Sequence, residues 1–556
     1  MMKKQMTAWQ LLKPYWISEQ KWLAYSLLAL VIALDMSNIY VILKITYWQK
    51  DFYDALTDYN SAAIKPLLIT LLGLVAANVT ARTFSTYFEQ MLDIRWRTWL
   101  THHYITQWLR KDNFYHIEKE KRTDNPDQRI AQDLGDMATK SLALFTGLLK
   151  NCVNLVSYGV VIWTVSNTWL FHINGENYVI PGAMLWVAIL YALLGSYIME
   201  KVGRPMISLN YKQQQYEADF RSLLINIRNN AEQIALYKGQ DVEKHRLKAS
   251  FASIRQNWRG IMTYTKRIAV TESVYIEAGA YIPYLLVVPQ YFAKQVTLGG
   301  MMQLTSSFMR VRASLSWFIF NYQELAQLRA ALKRLGEFQY ALQENQASTI
   351  ECKESSELIT DQLQLNKPNG NTLLCIPTLH LKQGQRLLIQ GESGIGKSTL
   401  LRALAGLWKH GTGQIGRPKS EDILFLPQKN YLPYGTLKSI LCYPKHSVDF
   451  TDQACLKVLE QVNLIDQMQN LNVEEDWDKI LSLGEQQRLA FAKVLLQTPK
   501  YIFLDEATSA LDTKNETHLY SLLIKQLPHS TIVSVAHREN LQKFHTETLS
   551  LSVSTK

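Results

Sequence analysis

The stretch GESGIGKST, residues 391–399, is suited to holding phosphate. Gly391, Gly394 and Gly396 let backbone N–H groups wrap an anion, with Glu392, Ser393 and Ile395 completing the loop. Lys397 reaches the β- and γ-phosphates of a nucleotide, Ser398 offers a hydroxyl to Mg²⁺, and Thr399 continues into a helix. An apolar strand precedes the loop and STLLRAL follows it, which is the strand–loop–helix setting that this chemistry needs. YIFLDEATSALD, residues 501–512, supplies the acids. Tyr501–Leu504 reads as a buried parallel strand. Asp505 at its end would hold the Mg²⁺ shell, and Glu506 would polarise an attacking water. Gln428 follows another strand and could touch both Mg²⁺ and that water. His537, after SVA, stands at a further strand end as a γ-phosphate contact. LSLGEQQRLAFAK, residues 481–493, is a second phosphate grip, since Ser482 and Gly484 open a helix whose free N–H groups attract anions. One chain with two grips raises the question of whose phosphate the second one touches.

These residues need a scaffold, and the composition bounds it. The chain has 556 residues, too many for one ordinary domain. Lys and Arg outnumber Asp and Glu, 59 to 48. About residues 22–43, 64–86, 142–165, 179–199, 270–293 and 299–322 run six apolar stretches, each near the ~20 residues that a membrane-crossing helix needs. The segments 87–141 and 200–269 read as long loops rich in Lys and Arg, whereas 166–178 has neither. The positive-inside rule puts these loops and both termini in the cytoplasm. The basic excess then reflects topology, and no nucleic acid partner is expected. TAWQLLKPYW reads as an interfacial helix with Trp9, Tyr15 and Trp16 at headgroup depth. Lys3 and Lys4 have no apolar core behind them, so no cleavable signal peptide is expected. Cys152, Cys352, Cys375, Cys442 and Cys455 form no metal spacing and read as reduced thiols. The expected division is a transmembrane domain over 1–345, a polar linker over 346–362 and an α/β domain over 363–556.

Within the apolar runs, ionisable residues cost roughly 2.5–3.5 kcal/mol each at mid-membrane and so mark a solute path. The candidates are Arg82, Glu277, Arg310 and Arg312, with Glu272 nearer a span end. Arg310 and Arg312 lie about 200° apart on a helix. One is expected to line a cavity while the other pairs with Glu277. Asn125 and Pro126 read as an N-cap and first residue of a short helix in a cytoplasmic loop that could press on the α/β domain.

Taken in order, Gly391–Thr399, Gln428, LSLGEQQR, FLDEATSALD and His537 resemble the full motif set of an ATP-binding cassette, over 363–556. The resemblance implies a P-loop NTPase fold that hydrolyses ATP with Mg²⁺. It adds Glu485 and Asp512 to the nucleotide contacts. It also implies a dimer in which Ser482 of one chain touches the γ-phosphate held by the other. The signature departs from the common form at Leu483 and Glu485, where Gly and Gln are usual. LQLNKPNGNTL offers no aromatic to stack on adenine, so the choice between ATP and GTP stays open. NPDQRIAQDL, EADFRSLLINIRNNAEQIALYKGQDVE, YIPYLLVVPQYF and GLWKHGTG resemble the SbmA/BacA-type membrane domain. With its cassette the chain is similar to YddA-like bacterial transporters and to peroxisomal half-transporters of ABC subfamily D. This implies an exporter-like membrane fold of six transmembrane helices in the bacterial cytoplasmic membrane, acting as a homodimer. Bulky hydrophilic solutes such as peptides, peptide antibiotics or cobalamin-like compounds are the expected cargo, with fatty acids or acyl-CoA as the alternative.

Overall fold

The computed structural model describes residues 6–551 apart from 167–168, 174–175, 344–347, 377 and 537. It divides into two units, Met1–Gln343 and Glu344–Lys556.

The first unit is helical. Its main helices are α1 (Ala8–Trp16), α2 (Lys21–Thr57), α3 (Ser61–Leu109), α4 (Leu134–Ser166), α5 (Ala183–Asn229), α6 (Gln240–Phe292), α7 (Leu298–Leu315) and α8 (Tyr322–Gln343). Local capping sets some of the starts. Asn60 accepts from the Ala63 N–H ahead of α3, and Thr297 accepts from the Gly300 N–H ahead of α7. Among the described residues, four helical stretches are long and apolar enough to cross a membrane: Lys21–Thr57, Ser61–Glu120, Pro126–Ser166 and Ala183–Asn229. The last two apolar runs of the sequence fall on α6 and α7, which carry Glu272, Glu277, Arg310 and Arg312 and do not reach that apolarity. The count of six is therefore not reached by length and composition. The segments read as long loops are largely helix, because α3, α5 and α6 continue far beyond their apolar runs.

Tyr15 and Trp16, expected to face lipid headgroups, pack against α3 instead. Tyr15 is fully buried and stacked on Trp96 of α3, with ring centroids 5.7 Å apart, and Trp16 meets the same indole edge-on at 5.4 Å. An amphipathic stripe fits a protein groove as well as a lipid surface, and here only Trp9 stays exposed. Asn125 and Pro126 stand at the N-cap and first position of a short helix, as expected, but the Asn125 side chain makes no cap bond. Asn125 takes a left-handed φ of 45°, Pro126 starts a three-residue helix, and Arg129–Asp133 winds as a π-helix into α4.

The second unit holds two five-stranded sheets and a two-stranded ladder, Gly435–Thr436 against Glu474–Glu475. The strands are β1 (Glu351–Glu354), β2 (Leu358–Asn366), β3 (Thr372–Ile376), β4 (Arg386–Gly391), β5 (Gly411–Arg417), β6 (Ile423–Leu426), β7 (Tyr501–Asp505), β8 (Thr531–Val535) and β9 (Glu547–Leu551). β1 and the start of β2 occupy the stretch read as linker, so the polar residues there form sheet edge and not a tether. One sheet runs β1-β5-β2-β3, with a short fifth strand, Leu379–Leu381, also paired to β2. The other runs β9-β4-β8-β7-β6, with every pair parallel. Tyr501–Leu504 are all buried, as a parallel strand covered on both faces requires. One face packs on Leu400, Leu401 and Leu404, and the other on Phe491, Leu495 and Leu519. Three helices matter for the site: α9 (Lys397–Leu404), α10 (Leu483–Gln497) and α11 (Thr513–Gln526). All five cysteines are free thiols.

Candidate functional site

In an open parallel sheet, ligands gather beyond the carboxyl ends of the strands. β4 ends at Gly391, β6 two residues before Gln428 and β7 at Asp505, so three separate sequence motifs converge at one edge. The β4–α9 loop turns on Gly394 and Gly396, at φ of 81° and 115°. A Cβ at Gly396 would press on Leu373 at 3.2 Å, so glycine serves both the turn and the packing.

Lys397 is buried, and its Nζ donates to the carbonyls of Gly391 (2.7 Å) and Glu392 (3.0 Å). Burial lowers its pKa, while Glu506 and Asp505 pull it back up. An ammonium held by two neutral carbonyls is free to exchange them for phosphate oxygens. Ser398 Oγ donates to Asp505 Oδ1 at 3.1 Å. Burial raises the Asp505 pKa above the usual carboxylate range, and the Ser398 hydroxyl partly offsets this. Hard oxygen donors paired in this way suit Mg²⁺, which keeps few protein ligands and takes the rest from phosphates and water. Gln428 Nε2 donates to Glu506 Oε2 at 3.0 Å. Glu506 adopts a left-handed φ of 50° and is held by its N–H bond to the Val535 carbonyl, 3.0 Å. A non-glycine residue in that region costs about 1–3 kcal/mol, and such strain clusters at functional positions.

Ser482 and Glu485 close a capping box at the start of α10. The Ser482 hydroxyl and N–H both donate to Glu485 Oε2, at 2.6 and 2.9 Å, and these bonds lower the Glu485 pKa. Gly484 is free of crowding, and Leu483 points outward. Asp512 caps α11 by accepting from the Asn515 N–H at 2.8 Å, which holds its pKa low. The fold thus brings Lys397, Ser398, Gln428, Asp505 and Glu506 together. No described bond joins Ser482, Gly484 or Glu485 to that group. His537 lies outside the described residues.

Among the described residues, no bond joins the charged residues expected to share a path. Arg82 and Glu277 are exposed on α3 and α6. Arg310 lies over the Tyr158 ring, 5.3 Å from its centroid. Arg312 is buried and does not pair with Glu277. Its Nη1 donates to the carbonyls of Tyr275 (3.3 Å) and Ile276 (2.9 Å). Gly279 makes the room, since a Cβ there would lie 2.2 Å from Arg312 Nη1. Glu277, two residues from Tyr275, faces about 200° away. Sequence reading overlooked a different pair. Asp35 of α2 is buried, accepts from Ser85 Oγ of α3 at 2.5 Å and meets Lys150 Nζ of α4 at 3.0 Å. The signal was an Asp and a Lys inside two apolar runs.

Comparison with known proteins agrees with this geometry. Residues 11–292 match the family described as ABC transporter transmembrane region 2, and residues 376–509 the family described as ABC transporter. The chain is 31% identical to the inner membrane ABC transporter ATP-binding protein YddA of Escherichia coli, over 95% of this chain and 94% of that one. It is 27% identical to the lysosomal cobalamin transporter ABCD4 of Homo sapiens, over 98% and 93%. A bacterial Atm1-family ABC exporter solved with ATP bound has the same fold, with a TM-score of 0.72 at 17% identity, covering 95% and 93% of the two chains.

Proposed function

The chain belongs to the ABC transporter family, coupling ATP hydrolysis to transport across a membrane, and on that premise we propose that it is a homodimeric half-transporter for bulky hydrophilic solutes. The observation that carries the two-copy reading is the split within the cassette. Lys397, Ser398, Asp505 and Glu506 converge on one strand edge, while Ser482 has no bond to them. A second copy supplies the missing grip, with Ser482, Gly484 and Glu485 of one chain on the nucleotide held by the Gly391–Thr399 loop of the other. In this reading Lys397 holds the β- and γ-phosphates, Glu506 takes a proton from the attacking water, and Gln428 orients that carboxylate. His537 contacts the γ-phosphate, and Asp512 lies beside the nucleotide. Ser398, Gln428 and Asp505 would hold Mg²⁺, which draws charge from the phosphates as the bond to the leaving group breaks.

The relation to a cobalamin transporter supports a bulky hydrophilic cargo over an acyl chain. Arg82, Glu277 and Arg310 line the path in this reading, and Arg312 ties α7 to α6. Both termini and the cassette face the cytoplasm of a bacterial inner membrane, as the Lys and Arg distribution directs. The test is ATP-driven uptake into proteoliposomes offered peptides, cobalamin and acyl-CoA in parallel. Accumulation of peptide or cobalamin against its gradient is expected. Accumulation of acyl-CoA alone overturns the cargo class. The two-copy reading is tested by mixing Lys397→Ala with Ser482→Arg chains, where partial recovery of ATPase is expected in demonstrated heterodimers, and none counts against shared sites.

A further inference from the structure

The loop that follows Glu506 is gripped from both sides by residues that touch none of the phosphate-site groups. From α10, Gln487 is buried and aims its amide at this loop. Its Nε2 donates to Ser509 Oγ at 3.1 Å, and its Oε1 accepts from the Ala510 N–H at 2.9 Å. From α11, Glu516 does the same. It is 1% exposed, and its Oε1 accepts from Thr508 Oγ1 at 2.7 Å. Its Oε2 accepts from Asn540 Nδ2 at 3.0 Å and Arg538 Nη1 at 3.3 Å. Arg538 also donates to the carbonyls of Leu511 (2.9 Å) and Ser509 (3.4 Å), and it adjoins His537 in the chain. A buried carboxylate is costly unless every lone pair is answered. Here each answering bond comes from residues 508–512 or from the segment after residue 537.

We propose that Gln487, Glu516 and Arg538 are positioning residues for ATP hydrolysis. They make residues 508–512 one rigid piece between the start of α10 and the segment that carries Arg538 and Asn540. When α10 of one chain engages the partner's nucleotide, the piece sets the placement of Glu506 over the chain's own nucleotide. The inference rests on the shared-site reading above. None of the three touches nucleotide, so their loss slows turnover without weakening binding. Nor are they independent, since each holds the same loop.

The experiment measures ATPase of the full-length protein in lipid nanodiscs for Gln487→Ala, Gln487→Glu, Glu516→Gln, Arg538→Lys and the double variant Gln487→Ala/Glu516→Gln. We expect each Ala or Gln change to lower kcat by about tenfold or more, with KM for ATP held within about twofold. Gln487→Glu keeps the acceptor for the Ala510 N–H, and Arg538→Lys keeps the charge, so both should retain more activity. The double variant should be no slower than the slower single. A raised KM with unchanged kcat, or losses that multiply in the double variant, overturns the proposal. So does a kcat loss that merely follows thermal melting across the set, with the conservative variants included. If the Lys397→Ala and Ser482→Arg mixture recovers activity while these variants turn over normally, the positioning role alone fails. If the mixture recovers nothing, the reading beneath it fails.

Discussion

Asp133 sits where the π-helical turn enters α4, and it is 2% exposed. Its carboxylate answers two arginines. Arg129 Nη1 donates at 2.7 Å, and Arg334 of α8 donates through Nε at 2.9 Å and Nη2 at 2.5 Å. Asp133→Asn removes the charge and keeps the shape. The two arginines then fare differently. Arg334 has a side chain 39% exposed and can turn to water, so its share is about 1 kcal/mol or less. Arg129 is buried and cannot follow, and a stranded buried charge costs about 3–5 kcal/mol. At about 2 °C per kcal/mol for a large domain, the midpoint should fall by roughly 6–10 °C. The assay is thermal unfolding of the purified protein in detergent. Adding Arg129→Met removes the stranded cation and should return most of the loss, because buried pairs replaced by apolar groups are often neutral. A fall below about 2 °C for Asp133→Asn, or a further fall on adding Arg129→Met, would refute the reasoning.

Glu506→Gln keeps the partner for Gln428 and loses the base, so ATP binding should persist while turnover drops about 10²–10⁴-fold; turnover near wild type would remove Glu506 from the mechanism. Burial raises the Asp505 pKa, so the folded state holds a proton that the unfolded chain has released, and stability falls as pH rises from the usual carboxylate range through the raised value. Asp505→Asn should therefore melt higher than wild type at neutral pH without nucleotide, show no such gain below the ordinary Asp pKa, and fail to hydrolyse ATP. At the intramembrane pair, Lys150→Met should destabilise more than Asp35→Asn. The lysine, with 34% of its side chain exposed, can extend toward water when Asp35 is neutral, whereas Asp35 is buried and cannot; the opposite order in melting would show that the cation is the buried partner.

The convergence of the candidate phosphate-binding residues was legible because they lie in short contiguous runs. Gly391–Thr399, Gln428 and Asp505–Glu506 each follow a strand, and parallel strands deliver their ends to one edge. The left-handed Glu506 was not legible, since nothing in Asp-Glu-Ala requires it. The membrane half showed where charges lie but not what they meet. Arg312 turns to backbone carbonyls because Gly279, on another helix, leaves room. Arg334 reaches Asp133 across 201 residues of chain. Composition misled for residues 346–362, because an exposed edge strand such as ECKE, all four residues exposed, has the polarity of a linker. It misled for α1 as well, whose apolar stripe fits Trp96 as well as lipid.

That burial of α1 has a consequence for how the chain is made. Leu11 and Tyr15 share a cluster with Leu335, Phe338 and Leu342 of α8. The helix α1 is thus finished by α8, the last helix of its unit. Until α8 emerges, α1 carries an open apolar face through the insertion of every helix between, the interval in which partly assembled chains aggregate. The contact joins the two ends of the unit, so its closure pays for the longest loop in it. A chain stopped before α8 would leave the membrane half unclosed, however well its earlier helices had inserted.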